Sequence, residues 1–307
     1  MKVTFNSLTH NGPVFPKEYE PVGYTFKGEV LPALAEEMLY AWAQKIETPY
    51  VKEPIVIENF WKCLKPELKH SQVAVFPDDY KELIDKMHSD ILAKKAAKKE
   101  KTKEEKKQEQ AEKEAMKAKY GFALFNGVPN PLGSYLIEGP GIILTRGKSP
   151  VKGLWKYRTQ PEDVTINFVD PTGKVPVPQA PAGHHWKEVV SSKSSAYVFK
   201  YKVDVGHINL RDKAVRFGAG SEVSLTVDEK KYDNAVKLLK VLPKLEKRIS
   251  DGLKSSDNET RQEALVAYLI EHTAIRVGSE KNLDLDADTV GMSTMKVGNI
   301  NLHIDEE

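Results

Sequence analysis

One segment restricts what this chain can fold into more than any other. Residues 93–119 contain no glycine, no proline and almost no apolar side chains, and they include eleven lysines and six glutamates, a formal charge of +5. Lysine, glutamate, alanine and glutamine favour helix, so the sequence predicts one helix over residues 93–118, roughly 40 Å long. Without an apolar stripe it should project into solvent or connect two lobes. The pattern leaves open whether it also contacts a partner.

The remaining sequence is close to neutral. The whole chain has a formal net charge of +2, so the part outside residues 93–119 carries −3. A basic segment on a nearly neutral body is compatible with a polyanionic partner. The apolar runs at 73–76 and 265–270 are far shorter than the ~18 residues of a membrane span. The single cysteine, Cys63, cannot form an internal disulfide, which fits a reducing compartment.

The sequence predicts an α+β protein with several domains. Residues 1–23 are rich in turn residues and should form an extended arm. Residues 24–92 mix a strand at 24–30 with amphipathic helices. Residues 119–225 contain short extended runs separated by turn signals, which predicts a β-rich unit. These runs are 122–125, 142–144, 164–168 and 197–203. From residue 226 onward the pattern is mostly helical.

Two helices are predicted in this last region. The first should bury a stripe made of Tyr232, Val236, Leu239 and Leu242. The second should open at a capping box, Ser256 with Glu259, and continue through Tyr268 to Arg276. Gly278 is placed to end it. Alternating apolar residues at 300, 302 and 304 suggest a strand.

Three familiar types of site can be dismissed. Asp284, Asp286 and Asp288 imitate a calcium loop, but Thr289 and Met295 replace its glycine and its last glutamate. No complete dinucleotide fingerprint or phosphate loop occurs, so nothing indicates nucleotide use. The pair His184-His185 has no acidic or cysteine partner at ligand spacing, so we expect no metal.

Arg276 has two interpretations on pattern alone. At a helix C-terminus, its cation would interact favourably with the helix dipole. Alternatively, a rigid helix would aim its guanidinium into a cleft, where it could hold a phosphate with two parallel hydrogen bonds. Phosphoryl transfer needs such a group to stabilise charge on the non-bridging oxygens.

A series of short motifs connects the chain with a known family. In chain order they are His10-x-Gly12-Pro13-Val14-Phe15, Tyr19-Glu20-Pro21, Lys119-Tyr120-Gly121-Phe122, Ile137-Glu138-x-Pro140-Gly141, Arg146-Gly147 with Pro150, Pro161-Glu162-Asp163 with Ile166-Asn167, Gly183-His184-x-Trp186-Lys187-Glu188-Val189, Arg276-x-Gly278-x-Glu280-Lys281, Ala287-Asp288-Thr289-Val290-Gly291 and Ile300-Asn301-Leu302-His303. With these motifs in this order, the chain resembles the eukaryotic-type (type IB) DNA topoisomerase I family.

The resemblance implies a clamp around duplex DNA. A mixed α/β cap would comprise residues 24–92, a β-rich subdomain formed by 1–23 with 119–225, and the charged helix at 93–118. The mostly helical start of the catalytic core would occupy 226–307. In the family, a tyrosine attacks a DNA phosphate and leaves a 3′-phosphotyrosine, the duplex swivels, and the strand is rejoined without metal or ATP. No cofactor is therefore expected.

The resemblance also implies site residues. Arg276 matches the first of two arginines that support the tyrosine. The other arginine, a lysine, a histidine and the tyrosine lie beyond Glu307 in family order, and neither Tyr232 nor Tyr268 matches the nucleophile motif. We therefore expect the 307-residue chain alone not to cleave DNA.

The DNA-binding residues implied are Arg146, near the cleavage site, and Lys213. Lys152, Lys156 and Arg158 form a basic cluster that suits phosphate contact. The family's two-arginine glycine motif reads Leu144-Thr145-Arg146-Gly147 here, so only its second arginine is present. Lys213 is followed by Ala214 where the family has an aromatic residue.

Several alternatives remain at this level. The leading hypothesis is a type IB topoisomerase, of which this chain is the N-terminal portion or one piece of a split enzyme with a separate catalytic chain. The second is a duplex-DNA-binding module without catalysis. A structural protein built on the charged helix would leave the ordered motifs unexplained. We expect an intracellular, DNA-associated protein without a membrane partner. The long charged tail of nuclear members is missing, which favours a tail-less relative such as an archaeal one. It would act in the nucleus if eukaryotic, and in the cytoplasm or nucleoid if archaeal.

Overall fold

A computed structural model describes residues 4–100, 102–145, 147, 149–195, 197–206, 212–279 and 289–301. The chain divides into two compact units, Met1–Leu144 with Val151–Thr226 and Thr145–Pro150 with Val227–Glu307, called unit 1 and unit 2 below. The mixture of helices and small sheets confirms the α+β class. No helix among the described residues is both long and apolar enough to cross a membrane.

The strands and the α-helices are each numbered in chain order. The strands are β1 (Leu8–His10), β2 (Thr25–Phe26), β3 (Glu29–Val30), β4 (Phe122–Phe125), β5 (Val128–Pro131), β6 (Gly141–Ile142), β7 (Trp155–Lys156), β8 (Val164–Asn167), β9 (Glu188–Val190), β10 (Phe199–Tyr201) and β11 (Lys213–Val215). The α-helices are α1 (Ala33–Ala43), α2 (Pro54–Leu64), α3 (Lys81–Lys99), α4 (Lys103–Tyr120), α5 (Glu222–Leu253) and α6 (Asn258–Thr273).

The helical half of unit 1 is built around an aromatic core. Most of its members come from α1, α2, the start of α3 and the segments between them, and they include Met38, Trp42, Phe60, Phe76, Tyr80 and Met87. The predicted strand at 24–30 is instead a hairpin of β2 and β3, because Lys27 and Gly28 form a turn in its middle.

A buried carboxylate connects the N-terminal arm to this core. Glu36 of α1 is fully buried, and its oxygens accept hydrogen bonds from the Tyr19 hydroxyl (2.9 Å) and from the backbone N–H groups of Val22 (2.6 Å), Gly23 (3.0 Å) and Tyr24 (2.9 Å). Buried charge is tolerated only when it is hydrogen-bonded in this way. Glu36 therefore determines where the arm lies.

The charged segment differs from its prediction as one continuous helix. It contains the end of α3, which stops at Lys99, and nearly all of α4, which starts at Lys103. Thr102 begins α4 as its N-cap: its side chain accepts from Glu105 N–H, and the Glu105 side chain accepts from Thr102 N–H. This capping box provides side-chain acceptors for the N–H groups of Thr102 and Glu105, which in a continuous helix would bond to backbone carbonyls of the preceding turn. Helix α4 has no buried residue among those described.

Among the described residues, the β-rich half of unit 1 contains two sheets of three or more strands, besides the short pair β6-β7. One has the order β1-β4-β5 and the other β11-β10-β8-β9, in which only β8 and β9 pair in parallel. Strands β4 and β5 meet at Asn126-Gly127, whose φ angles of 50° and 82° suit a tight hairpin. The core includes the fully buried side chains of Leu8, Ile166 and Phe199.

His10, from the first family motif, is a structural residue in this core. Its Nδ1 accepts from Gly12 N–H at 3.0 Å, so its Nε2 carries the hydrogen and donates to the Asn167 carbonyl at 3.1 Å. Burial lowers the pKa of His10 to about 4, although the bond to Asn167 opposes this shift. His10 is therefore neutral near pH 7.

We expect His10 to make the protein less stable in acid. Between its ordinary pKa of 6.5 and about 4, unfolded His10 binds a proton that the folded residue does not. As the pH falls through this window, the free energy of unfolding should drop by up to about 3 kcal/mol. Urea unfolding of the wild type and of His10→Gln at pH 7, 5.5 and 4.5 tests this. Equal losses in the two proteins would contradict it.

The structure of unit 2 differs from three of the predictions made for this region. Asp257, not Ser256, caps α6, because its Oδ2 accepts from Thr260 N–H at 2.8 Å. The helix ends at Thr273, where Ala274 has a φ of 55°, so it does not reach Arg276. The apolar stripe of α5 exists but is not buried: Tyr232 is 75% exposed and Leu239 68% exposed. Ile300 lies outside regular structure, and residues 302–307 of the suggested strand lie outside the described residues.

Candidate nucleic-acid interface

The described cations that were predicted to bind DNA all lie in unit 1, and each has a carboxylate partner. The pairs are Lys152–Glu53, Lys156–Glu138, Arg158–Glu37 and Lys213–Glu138. Arg146 lies outside the described residues. The four pairs differ in exposure, and this separates buried structural cations from those that are open to solvent.

Lys152 is placed as a structural cation. It is only 5% exposed, and its Nζ lies 2.8 Å and 2.7 Å from the two carboxylate oxygens of Glu53. The same Nζ sits 5.0 Å from the centre of the Tyr50 ring. Because the Lys152 ammonium is buried and already bound to both oxygens of Glu53, the structure argues against the predicted contact with DNA phosphate.

Arg158 connects the arm to α1. Its Nη2 pairs with Glu37 at 2.9 Å, while Nη1 donates to the carbonyls of Pro16 (3.3 Å) and Lys17 (3.0 Å). The planar fork of an arginine suits several acceptors at once. This role was missed at the sequence level. The available signal was the proline-rich arm. Because prolines lack a backbone N–H donor, the arm cannot form a regular ladder of backbone hydrogen bonds, and side-chain donors such as Arg158 can bind its carbonyls.

Lys156 and Lys213 share one partner, Glu138. Lys156 Nζ lies 3.1 Å from Glu138 Oε2, and Lys213 Nζ forms an ion pair with Oε1. Partial burial alone would raise the pKa of Glu138, but the hydrogen bonds from Lys213 and Lys156 hold it below its ordinary value. The carboxylate is therefore ionised, and Lys156, Lys213 and Glu138 together carry a net charge of one positive unit.

This cluster lies in an open groove of about 690 Å³. The groove is bounded by the C-terminal end of α1, the segment 138–144, and residues of β7 and β11. Lys45, which sequence reasoning did not select, lines it too. Among the described residues no carboxylate pairs with Lys45, and its side chain is exposed. Lys45, Lys156, Lys213 and Glu138 are called the groove cluster below.

The two adjacent histidines are placed near one acid. His184 Nδ1 lies 3.1 Å, and His185 Nδ1 3.6 Å, from Glu162 Oε1. Their partner comes from a distant part of the sequence and was not anticipated. Within the described part of the chain, no group of three His, Cys, Asp or Glu residues could hold a metal ion.

In unit 2, Arg276 lies in an irregular segment after α6. Its backbone is nonetheless fixed: the Arg276 carbonyl accepts from Met292 N–H at 2.9 Å, and the Val277 carbonyl accepts from Ser293 N–H at 2.7 Å and from the Ser293 hydroxyl at 2.8 Å. These bonds hold the segment 276–278 against the turn at 291–294.

Two glycines permit this close approach. A Cβ added to Gly291 would overlap the Gly278 backbone, and one added to Gly278 would lie 3.1 Å from the hydroxyl oxygens of Ser293 and Thr294. Gly278 also has a φ of 103°, which L side chains rarely adopt. Both glycines belong to the family motifs, so the spacing of those motifs has a steric reason.

The side chain of Arg276 is exposed, and no acceptor for its guanidinium occurs among the residues described. It differs in this from the paired cations of unit 1. An exposed guanidinium on a fixed backbone can bind two non-bridging oxygens of a phosphate.

Comparison with known proteins identifies the family of this chain. A family model described as the DNA-binding fragment of eukaryotic DNA topoisomerase I matches residues 3–215, and one for its catalytic core matches residues 220–307. The chain belongs to the eukaryotic DNA topoisomerase I family. The resemblance drawn from the motifs is thereby confirmed.

Relatives in this family extend well beyond the chain. DNA topoisomerase 1 of Homo sapiens is 31% identical over 308 residues, which is 98% of this chain and 39% of the human protein. DNA topoisomerase 1 alpha of Arabidopsis thaliana is 34% identical over 96% of this chain and 32% of its own length. The mitochondrial DNA topoisomerase I of Homo sapiens is 29% identical over 98% of this chain and 50% of its own. The chain thus spans half or less of each of these relatives.

Proposed function

We propose that this chain is part of a type IB DNA topoisomerase, in which unit 1 binds duplex DNA and unit 2 supplies a phosphate-binding arginine. Arg276 carries this proposal, because its exposed guanidinium stands on a backbone fixed by the Gly278–Gly291 contact, within the region that matches the catalytic core. In the proposed reaction, a tyrosine hydroxyl attacks a DNA phosphate, the 5′-hydroxyl leaves, and the reverse step rejoins the strand.

The role of Arg276 in this reaction is electrostatic. Negative charge grows on the non-bridging oxygens as the tyrosine approaches, and a preorganised cation stabilises that charge most strongly in the transition state. The reaction proposed needs no metal and no nucleotide cofactor. None of the residues assigned here is the nucleophile, so we expect the 307-residue chain alone to bind duplex DNA without cleaving it.

Unit 2 also presents a surface suited to a further polypeptide. Tyr232, Val236 and Leu239 form an exposed stripe on α5, and Leu265 and Tyr268 are exposed on α6. Contiguous exposed apolar side chains mark interaction surfaces. The proposed partner is the rest of the catalytic core, supplied in the same polypeptide or as the separate chain of a split enzyme.

We expect duplex binding to be strongly dependent on salt and weakly dependent on sequence. The groove cluster and the exposed lysines of α3 and α4 suit phosphate contacts, which release counterions from DNA. Affinity should fall more than about tenfold between 50 and 200 mM salt. Fluorescence titration of two unrelated duplexes at several salt concentrations measures this. A flat plot of log affinity against log salt would contradict the proposal. Such binding would place the protein at DNA in the cell.

A further inference from the structure

The groove cluster contains a carboxylate where a phosphate would fit. Glu138 offers two oxygens, and each is paired with a different lysine, Lys156 or Lys213. A DNA backbone phosphate also offers two non-bridging oxygens that share one negative charge. We propose that Glu138 occupies the site of a backbone phosphate and is displaced when duplex DNA binds. This inference rests on the proposed DNA-binding function.

The backbone beneath Glu138 is held in place. Its neighbour Ile137 is 3% exposed, and Ile137 N–H donates to the Val14 carbonyl at 2.9 Å. Glu138 N–H also points toward the hydroxyl oxygen of Tyr201, 3.5 Å away. The carboxylate can therefore leave the lysines by side-chain rotation, without a change in the fold.

The exposure of the three side chains suits such an exchange. Glu138 and Lys213 are each 46% exposed, and Lys156 is 19% exposed. A phosphate approaching from solvent can therefore reach both ammonium groups. Each lysine lies on a short strand, Lys156 opposite Gly141 and Lys213 opposite Tyr201, so their positions do not depend on Glu138 alone.

The remaining charges of the groove favour an incoming anion. Lys45 lies exposed in the same groove and is unpaired within the described residues. The other acid, Asp212, lies 3.5 Å from Lys200. When the Glu138 side chain rotates away, the groove is lined by three lysines and by one acid, Asp212, which is already paired.

The test compares two neutralised carboxylates. Glu138→Gln removes the competing charge, whereas Glu58→Gln removes one equal charge from an exposed pair with Lys62 on α2. We expect Glu138→Gln to bind a 20-base-pair duplex about tenfold more tightly than the wild type. The slope of the salt plot should stay nearly the same, because the two lysines neutralise the same phosphate in both complexes once Glu138 has been displaced. Glu58→Gln should change affinity less than about twofold.

A second background isolates the two lysines. In the double variant Lys156→Gln/Lys213→Gln, adding Glu138→Gln should give no more gain than Glu58→Gln. The inference is overturned if Glu138→Gln binds no more tightly than Glu58→Gln, if it binds more weakly, or if its gain persists without the lysines. Wild-type protein that binds DNA with the expected salt dependence, while Glu138→Gln shows no gain, overturns this inference but not the proposed function. Wild-type protein that does not bind duplex DNA overturns both.

Discussion

Arg276→Ala should slow DNA strand cleavage by roughly 100- to 1,000-fold, since removal of one preorganised donor to a transition-state oxyanion costs about 3–4 kcal/mol. Duplex affinity should change only a few-fold, because the lysines of unit 1 remain. The measurement is single-turnover cleavage of a duplex that traps the covalent product, in the natural polypeptide that contains these 307 residues. Binding of the same duplex is titrated in parallel.

Two further variants separate chemistry from placement. Arg276→Lys should restore little activity, because an ammonium is a point charge and cannot form the bidentate fork. Gly291→Ala keeps the guanidinium but places a Cβ against the Gly278 backbone, so it should also slow cleavage by displacing Arg276. Near-normal cleavage by Arg276→Ala would show that the guanidinium has no part in the chemistry.

Glu36→Ala is expected to lower the free energy of unfolding of unit 1 by roughly 2–4 kcal/mol. The change leaves three backbone N–H groups and the Tyr19 hydroxyl without their acceptor. Each buried donor that loses its partner costs about 1–3 kcal/mol. Glu36→Gln should destabilise as well, because its amide group would face donors where a carboxylate accepted.

Urea unfolding followed by circular dichroism measures the loss. Glu58→Ala is the matched control, since its exposed pair with Lys62 should contribute less than about 1 kcal/mol. Hydrogen exchange locates the effect: the amides of Val22, Gly23 and Tyr24 should lose protection first. If Glu36→Ala is as stable as Glu58→Ala, the arm is held by other contacts.

Local sequence signals predicted the types of element better than their ends. Strand β4 was predicted with its observed limits, and the apolar periodicity of α5 was real. The break before α4 was missed although Thr102 and Glu105 form a capping box, because the abundance of helix-forming residues dominated the prediction. The start of α6 was misplaced by one residue, since Ser256 and Asp257 are both good caps and only the structure shows which one accepts a bond. A stripe indicates which face is apolar, not what covers it.

The sequence by itself determined the family and the α+β class, because motifs in a shared order are read directly from residue identity. Tertiary structure alone decided which cations are available. Lys152 and Glu53 are 99 residues apart, Arg158 and Glu37 are 121 apart, and Lys213 and Glu138 are 75 apart. The contact of Gly278 with Gly291 likewise joins separate segments. The charge that a side chain presents depends on its spatial neighbours, and no local pattern records partners so distant in the chain.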